Sequence, residues 1–258
     1  MPRDLNVSLI QADLFWQDID ANLAMFSEKL VSLPADVDLV ILPEMFSTGF
    51  SMEAGQYAET MDGKSVGWLR ARAADLGLDI TGSLMIREEV RFYYRLVWAR
   101  PDGQLFTYDK RHLFSYAGED AVYTVGRDRL TVELKGWRIR PFICYDLRFP
   151  IWCRNLGPAY DLALFTANWP HRRAAHWQAL LRARAIENQA YIIGLNRVGR
   201  DGNGYEHSGD SAVLDPQGRV LFEKSWEACI HTQRLAYADL ADYREAFPAW
   251  KDADSLLH

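Results

Sequence analysis

The sequence predicts an α/β fold in which mixed sheets are layered with helices, and three observations carry that expectation. Strand, helix and strand patterns follow one another within residues 5–45. Two turns with strong chemistry, Pro101-Asp102-Gly103 and Asp215-Pro216-Gln217-Gly218, join strands directly as hairpins, because proline presets φ and glycine accepts positive φ. No repeat, low-complexity tract or linker breaks the pattern, so residues 1–258 read as a single domain. At 258 residues and 49% hydrophobic, the chain can bury a large core without staples.

Taken in order, Leu5 to Gln11 alternates loosely and suits a first strand. Ile19, Leu23, Phe26, Leu30 and Leu33 recur at steps of four and three, on one face of a helix that Pro34 ends. Asp38 to Leu42 has the continuous apolar centre of a strand covered on both faces. Val66, Leu69, Ala73 and Leu76 mark a second helix, and Asp79 to Ile86 the strand after it. The first hairpin pairs Arg91–Ala99 with Gln104–Tyr108, and a loop then runs from Lys110 to Gly126. Leu130–Leu134 and Trp137–Ile143 form another pair across Lys135-Gly136. A short helix over Phe149–Leu156, a buried strand over Asp161–Thr166, a helix over Arg172–Gln189 and a strand over Tyr191–Leu195 follow. The last hairpin joins Ser211–Leu214 to Arg219–Glu223.

The bulk numbers narrow the function classes. A formal net charge of −6 gives no basic field for nucleic acid or an anionic membrane surface. No apolar run reaches the roughly 18 to 20 residues needed to cross a bilayer. Cys144, Cys153 and Cys229 are an odd count without metal-ligand spacing, and no signal peptide opens Met1-Pro2-Arg3-Asp4. These features favour a reducing cytoplasm and a soluble protein.

Chemistry gathers at strand ends. Cys144 closes the apolar strand Arg140-Pro141-Phe142-Ile143 and begins a sharp turn, where α/β sheets place their sites. A thiol there needs a base, a cation and an oxyanion site. Glu44 follows another apolar strand and can accept a proton if burial raises its pKa. Lys110 follows a third, and its ammonium favours a thiolate and a developing oxyanion. Cys153 and Cys229 have no such surroundings and read as small core residues.

Three segments carry a family resemblance: Leu42-Pro43-Glu44-Met45-Phe46, Tyr108-Asp109-Lys110-Arg111-His112-Leu113-Phe114 and Cys144-Tyr145-Asp146-Leu147-Arg148-Phe149-Pro150. In order and content they resemble the signature segments of the nitrilase, or carbon-nitrogen hydrolase, superfamily. The resemblance implies an αββα sandwich of two mixed β-sheets with outer helices. It also implies Glu44 as general base, Lys110 as the cation beside the tetrahedral intermediate, Cys144 as nucleophile and Glu119 as a supporting second glutamate. The residue types fit amide hydrolysis through a thioester, with the Tyr145 backbone N–H joining Lys110 as oxyanion donor. Such a reaction needs neither a metal nor an organic cofactor.

The segment around Cys144 is most similar to the ω-amidase branch, which implies hydrolysis of the terminal amide of 2-oxoglutaramate, 2-oxosuccinamate or a related short ω-amido acid. Asn168-Trp169-Pro170 resembles that branch as well, whereas Ile151 stands where many members carry a glutamate. An acid substrate calls for a cation, and Arg172 and Arg173 are candidates. Arg148 reads as ordering the turn by pairing with a carboxylate. Asn168, Trp169 and Phe46 are expected to line the substrate site.

Alternatives are an N-carbamoyl amino acid hydrolase or nitrilase of the same fold, a non-catalytic binding protein, and a Cys-His hydrolase using His112, His171 or His176. The resemblance implies a homodimer, and the apolar Phe247, Trp250, Leu256 and Leu257 suggest that the tail from about residue 240 packs at the subunit contact.

Overall fold

The computed structural model describes residues 2–254. In chain order its strands are β1 (Leu5–Gln11), β2 (Leu39–Ile41), β3 (Asp79–Glu88), β4 (Arg91–Ala99), β5 (Leu105–Asp109), β6 (Val132–Leu134), β7 (Trp137–Ile143), β8 (Leu162–Ala167), β9 (Tyr191–Asn196), β10 (Val198–Arg200), β11 (Glu206–Leu214), β12 (Val220–Ser225) and β13 (Cys229–Leu235). The helices are α1 (Ile19–Val31), α2 (Ala54–Tyr57), α3 (Lys64–Leu76), α4 (Glu119–Val122), α5 (Pro150–Cys153), α6 (Ala174–Asn188) and α7 (Tyr237–Ala246).

One sheet has the order β13-β1-β2-β3-β4-β5; the other runs β10-β11-β9-β8-β7-β6, with β12 also on β11. Both are mixed. β1, β2 and β3 are parallel and β4 and β5 antiparallel to their neighbours, while β7, β8 and β9 form the parallel centre of the second sheet.

Alternation explains why the central strands read as unbroken apolar runs. Leu5, Val7 and Leu9 of β1 and Leu39 and Ile41 of β2 meet Ile139 and Ile143 of β7, Leu162 and Leu164 of β8, and Ile193 and Leu195 of β9 between the sheets. The intervening residues point outward. Ile10 and Val40 pack under Phe26 and Leu30 of α1 and Val66, Leu69 and Ala73 of α3. Phe142, Ala163, Phe165 and Ile192 pack under Trp177, Leu181 and Ala185 of α6. These central strands are therefore buried on both faces, and the layers are helix, sheet, sheet, helix. The αββα expectation holds.

The sequence reading misses β10, β13, α2, α4 and α7 and places β11 too short. β13 is partly exposed along most of its length and becomes a strand by pairing antiparallel along β1, from Leu5–Leu235 to Gln11–Cys229. The tail that lacks helical periodicity forms α7, held because Arg244 reaches Asp161 at 2.7 Å and the Tyr160 and Gln189 carbonyls at 2.8 Å each. Gln189 binds the Phe247 carbonyl and the Trp250 N–H, so this part of the tail packs on its own chain. Leu256 and Leu257 lie outside the described residues.

Candidate active site

Three strand ends meet at one point between the sheets. Glu44 follows β2, Lys110 follows β5 and Cys144 closes β7; Glu44, Lys110 and Glu119 are fully buried. Lys110 Nζ lies 2.7 Å from Glu119 Oε1 and 3.3 Å from Glu44 Oε1, above the face of the Tyr94 ring. Glu119 is fixed at its other oxygen by the Phe114 N–H at 2.8 Å. Burial works against the Lys110 charge, but Glu119 and Glu44 more than offset it and hold the ammonium above its usual range. Burial raises the Glu119 carboxyl, with Lys110 pulling it back.

The backbone turns sharply after both strands. Met45 has φ +46° and Cys144 φ +42°, a left-handed conformation that a side chain adopts only under constraint. At Cys144 the constraint is Asp146, fully buried two residues on. Its Oδ2 accepts from the Ile143 N–H at 3.0 Å and the Tyr108 hydroxyl at 2.6 Å, and its Oδ1 accepts from the His112 N–H at 3.0 Å. The residues after Ile143 form a 3-10 turn, Cys144–Arg148, and the opening N–H groups of such a turn have no partner within it. The Tyr145 N–H is one of these. Burial and then the Glu44 carboxylate push the Cys144 thiol well above its usual range, against the pull of Lys110.

Cys144 opens into a cavity of about 90 Å³ lined by Phe114, Tyr116, Tyr145, Trp169, Tyr205 and other residues. At about 10–15 Å³ for each water-sized group, it admits on the order of six to nine such groups. Arg148, Arg172 and Arg173 line it too, resting against Trp169, Tyr205 and Phe114 respectively. None has a carboxylate within ion-pair distance among the described residues.

Several sequence assignments change here. Phe46 does not line the cavity. The turn at Met45 sends Met45 between the sheets and Phe46 into the outer layer against Phe26 and Trp68, over Gly82, where a built Cβ would lie 2.7 Å from the ring. Among the described residues Arg148 pairs with no carboxylate; its Nη2 lies 3.1 Å from His176 Nδ1 and its guanidinium stacks over Trp169. The arginine that ties down the turn is Arg184, which donates to the Leu147 carbonyl at 2.6 Å and pairs with Glu187.

Asn168 lines the cavity and also grips Glu44: its N–H bonds Glu44 Oε2, and its Nδ2 reaches the Glu44 carbonyl at 2.6 Å. Trp169 is both wall and core, edging the cavity while packing on Trp177. The histidines proposed as bases are engaged elsewhere: His112 with Asp146 and the Phe149 ring, His176 with Arg148, and His171 with Trp226. The charged groups that act most on the thiol are Glu44, Lys110 and Glu119. Sequence reasoning passed over Asp146, although it sits inside the motif it supports, and His207 and Asp201, which also line the cavity.

A two-sheet sandwich with a thiol, a lysine and carboxylates at converging strand ends defines a cysteine hydrolase site, and the comparisons agree. Residues 6–245 match the carbon-nitrogen hydrolase family, and the chain belongs to that family. It is 47% identical over 253 residues to omega-amidase YafV of Escherichia coli K12, covering 98% of both chains. It is 31% identical to a 2-oxoglutaramate amidase of Bacillus subtilis, again over 98% of both. A CN-hydrolase superfamily protein from Xanthomonas campestris, with an arsenic adduct in its active site, superposes with a TM-score of 0.96 at 48% identity, covering 99% of each chain. The protein is a hydrolase acting on carbon-nitrogen bonds.

Proposed function

We propose that this chain is an ω-amidase, releasing ammonia from the terminal amide of a short ω-amido acid of the 2-oxoglutaramate or 2-oxosuccinamate type. The observation that carries the reading is one cavity with Cys144 at its floor and three arginines without carboxylate partners around it. The floor suits amide chemistry and the arginines suit an acid substrate. The names of the relatives support the same substrate class.

The thiol rests protonated, so Glu44 removes its proton as sulfur attacks the amide carbon. Lys110 has three N–H donors; Glu119 and Glu44 engage two, and the third faces the oxyanion together with the Tyr145 N–H. The intermediate collapses, the carbon-nitrogen bond breaks, and the proton held by Glu44 leaves with ammonia. Water then gives a proton to Glu44 while its oxygen attacks the thioester. Collapse expels the sulfur, which regains the proton, and the acid departs. Glu119 holds Lys110 in place throughout.

The experiment is a panel of ω-amido acids, nitriles and N-carbamoyl amino acids followed by ammonia release. Turnover concentrated on the ω-amido acids is expected; turnover concentrated on either other class would replace the substrate assignment. Pairing into a homodimer, with the tail from about residue 240 at the contact, belongs to the same proposal. Phe247 is 58% exposed and supplies apolar surface there. A monomeric mass in solution at full activity would remove that part. No helix among the described residues is long and apolar enough to cross a membrane.

A further inference from the structure

A second polar pair faces the cavity and takes no part in the chemistry above. His207 near the start of β11 is 2% exposed and Asp201 6% exposed, and both line the cavity that holds Cys144. Asp201 sits in the turn between β10 and β11. Its Oδ1 accepts from the Asn203 and Tyr205 N–H groups at 2.9 Å each, which leaves Oδ2 for His207 Nε2 at 3.1 Å. Burial opposes the Asp201 charge, yet the His207 ring and the Tyr205 N–H more than offset it and keep its carboxyl below the usual range.

The other ring nitrogen, His207 Nδ1, is buried and has no hydrogen-bond partner among the described residues. A buried polar atom without a partner is unfavourable, so a ligand that supplies one is favoured. We propose that His207, oriented by Asp201, is a specificity-determining residue that donates from Nδ1 to the acid end of the substrate, selecting an ω-amide whose far end is a 2-oxo acid. This rests on the ω-amidase reading and assigns the end of the substrate that the Glu-Lys-Cys chemistry does not touch.

The chemistry selects in one direction. A 2-oxo acid offers only acceptors at that end, which suits a donor at Nδ1 while Nε2 stays on the Asp201 carboxylate. A 2-amino acid would instead set an ammonium against that ring and against Arg148, Arg172 and Arg173.

The test compares kcat/KM for 2-oxosuccinamate or 2-oxoglutaramate with kcat/KM for butanamide, an uncharged amide, in His207→Leu, His207→Gln and Asp201→Asn proteins. A charge-assisted hydrogen bond predicts that His207→Leu lowers the ratio of the oxo acid to butanamide about 10- to 100-fold, through KM rather than kcat. His207→Gln keeps a donor and recovers part of that loss. Asp201→Asn, which keeps an acceptor but removes the charge, lowers the ratio about 10-fold. Equal losses on both substrates, or an unchanged ratio, would overturn the assignment. Should His207→Leu fail to fold, the Gln and Asn variants decide on the same ratio. Wild-type turnover of butanamide without turnover of any ω-amido acid would instead sink the ω-amidase reading, a result separable from the variant ratios.

Discussion

Beneath the cavity that Cys144 and Glu119 line, an ammonium lies between two buried carboxylates, whereas around its walls three guanidinium groups rest on aromatic rings, with no carboxylate within ion-pair distance among the described residues. The floor is internally paired. Glu119 and Glu44 share the one Lys110 ammonium, and every partner is fixed by backbone or side-chain hydrogen bonds. The wall carries positive charge without such internal pairing. The difference teaches how labour is divided on the proposed reading: the floor holds charge that develops during reaction, and the wall meets charge that arrives with the substrate.

Substitutions on the two sides therefore should not behave alike. Lys110→Met on the floor is the largest expected effect. It removes the proposed oxyanion donor, a loss expected to cost about 10²- to 10³-fold in kcat. It also leaves two buried carboxylates facing each other, a destabilisation on the order of 3–5 kcal/mol seen by denaturant unfolding. A variant with wild-type kcat would break the comparison at its base.

On the wall, Arg173→Met should act on binding. A lost charge-assisted contact raises KM for an ω-amido acid about 10- to 100-fold and leaves kcat within a few-fold. A fall in kcat with unaltered KM would move Arg173 to the floor's side of the comparison.

The smallest effect is a displaced pH limb. Glu119 must be ionised to hold Lys110, and activity is lost as pH falls through its pKa. Burial raises that pKa above the ordinary carboxylate value of 4.5, so the acid limb of kcat lies above pH 4.5 and changes position in Glu119→Gln. A wild-type limb at or below 4.5, measured across a buffered pH series, would show that the floor is less enclosed than the geometry states.

Legibility in the sequence follows the same line. The central strands could be read because burial on both faces leaves unbroken apolar runs, and a lone charged residue ending such a run stands out, as Glu44 does after Leu42. β11 was read only over Ser211–Leu214, since Glu206-His207-Ser208-Gly209-Asp210 has no strand pattern. Yet from His207 onward every residue of β11 is buried, because neighbouring strands and the cavity supply partners that local sequence does not announce. That is why His207 and Asp201 escaped notice. Asp146 was in view within its motif, but its role depends on Tyr108 and His112, more than thirty positions earlier.

By itself, the sequence determined the alternation of strands and helices, the hairpin turns, and the positions where a carboxylate, an ammonium and a thiol leave the ends of buried strands. These depend on periodicity and turn chemistry, which operate over a few residues. Only the tertiary structure decided that Phe46 turns away from the cavity, that Arg148 lacks a carboxylate, and that Asn168 holds Glu44 across 124 positions of chain. Those outcomes come from packing two sheets face to face. Which distant side chains then meet is decided by volume, charge and hydrogen-bond satisfaction across the whole sandwich.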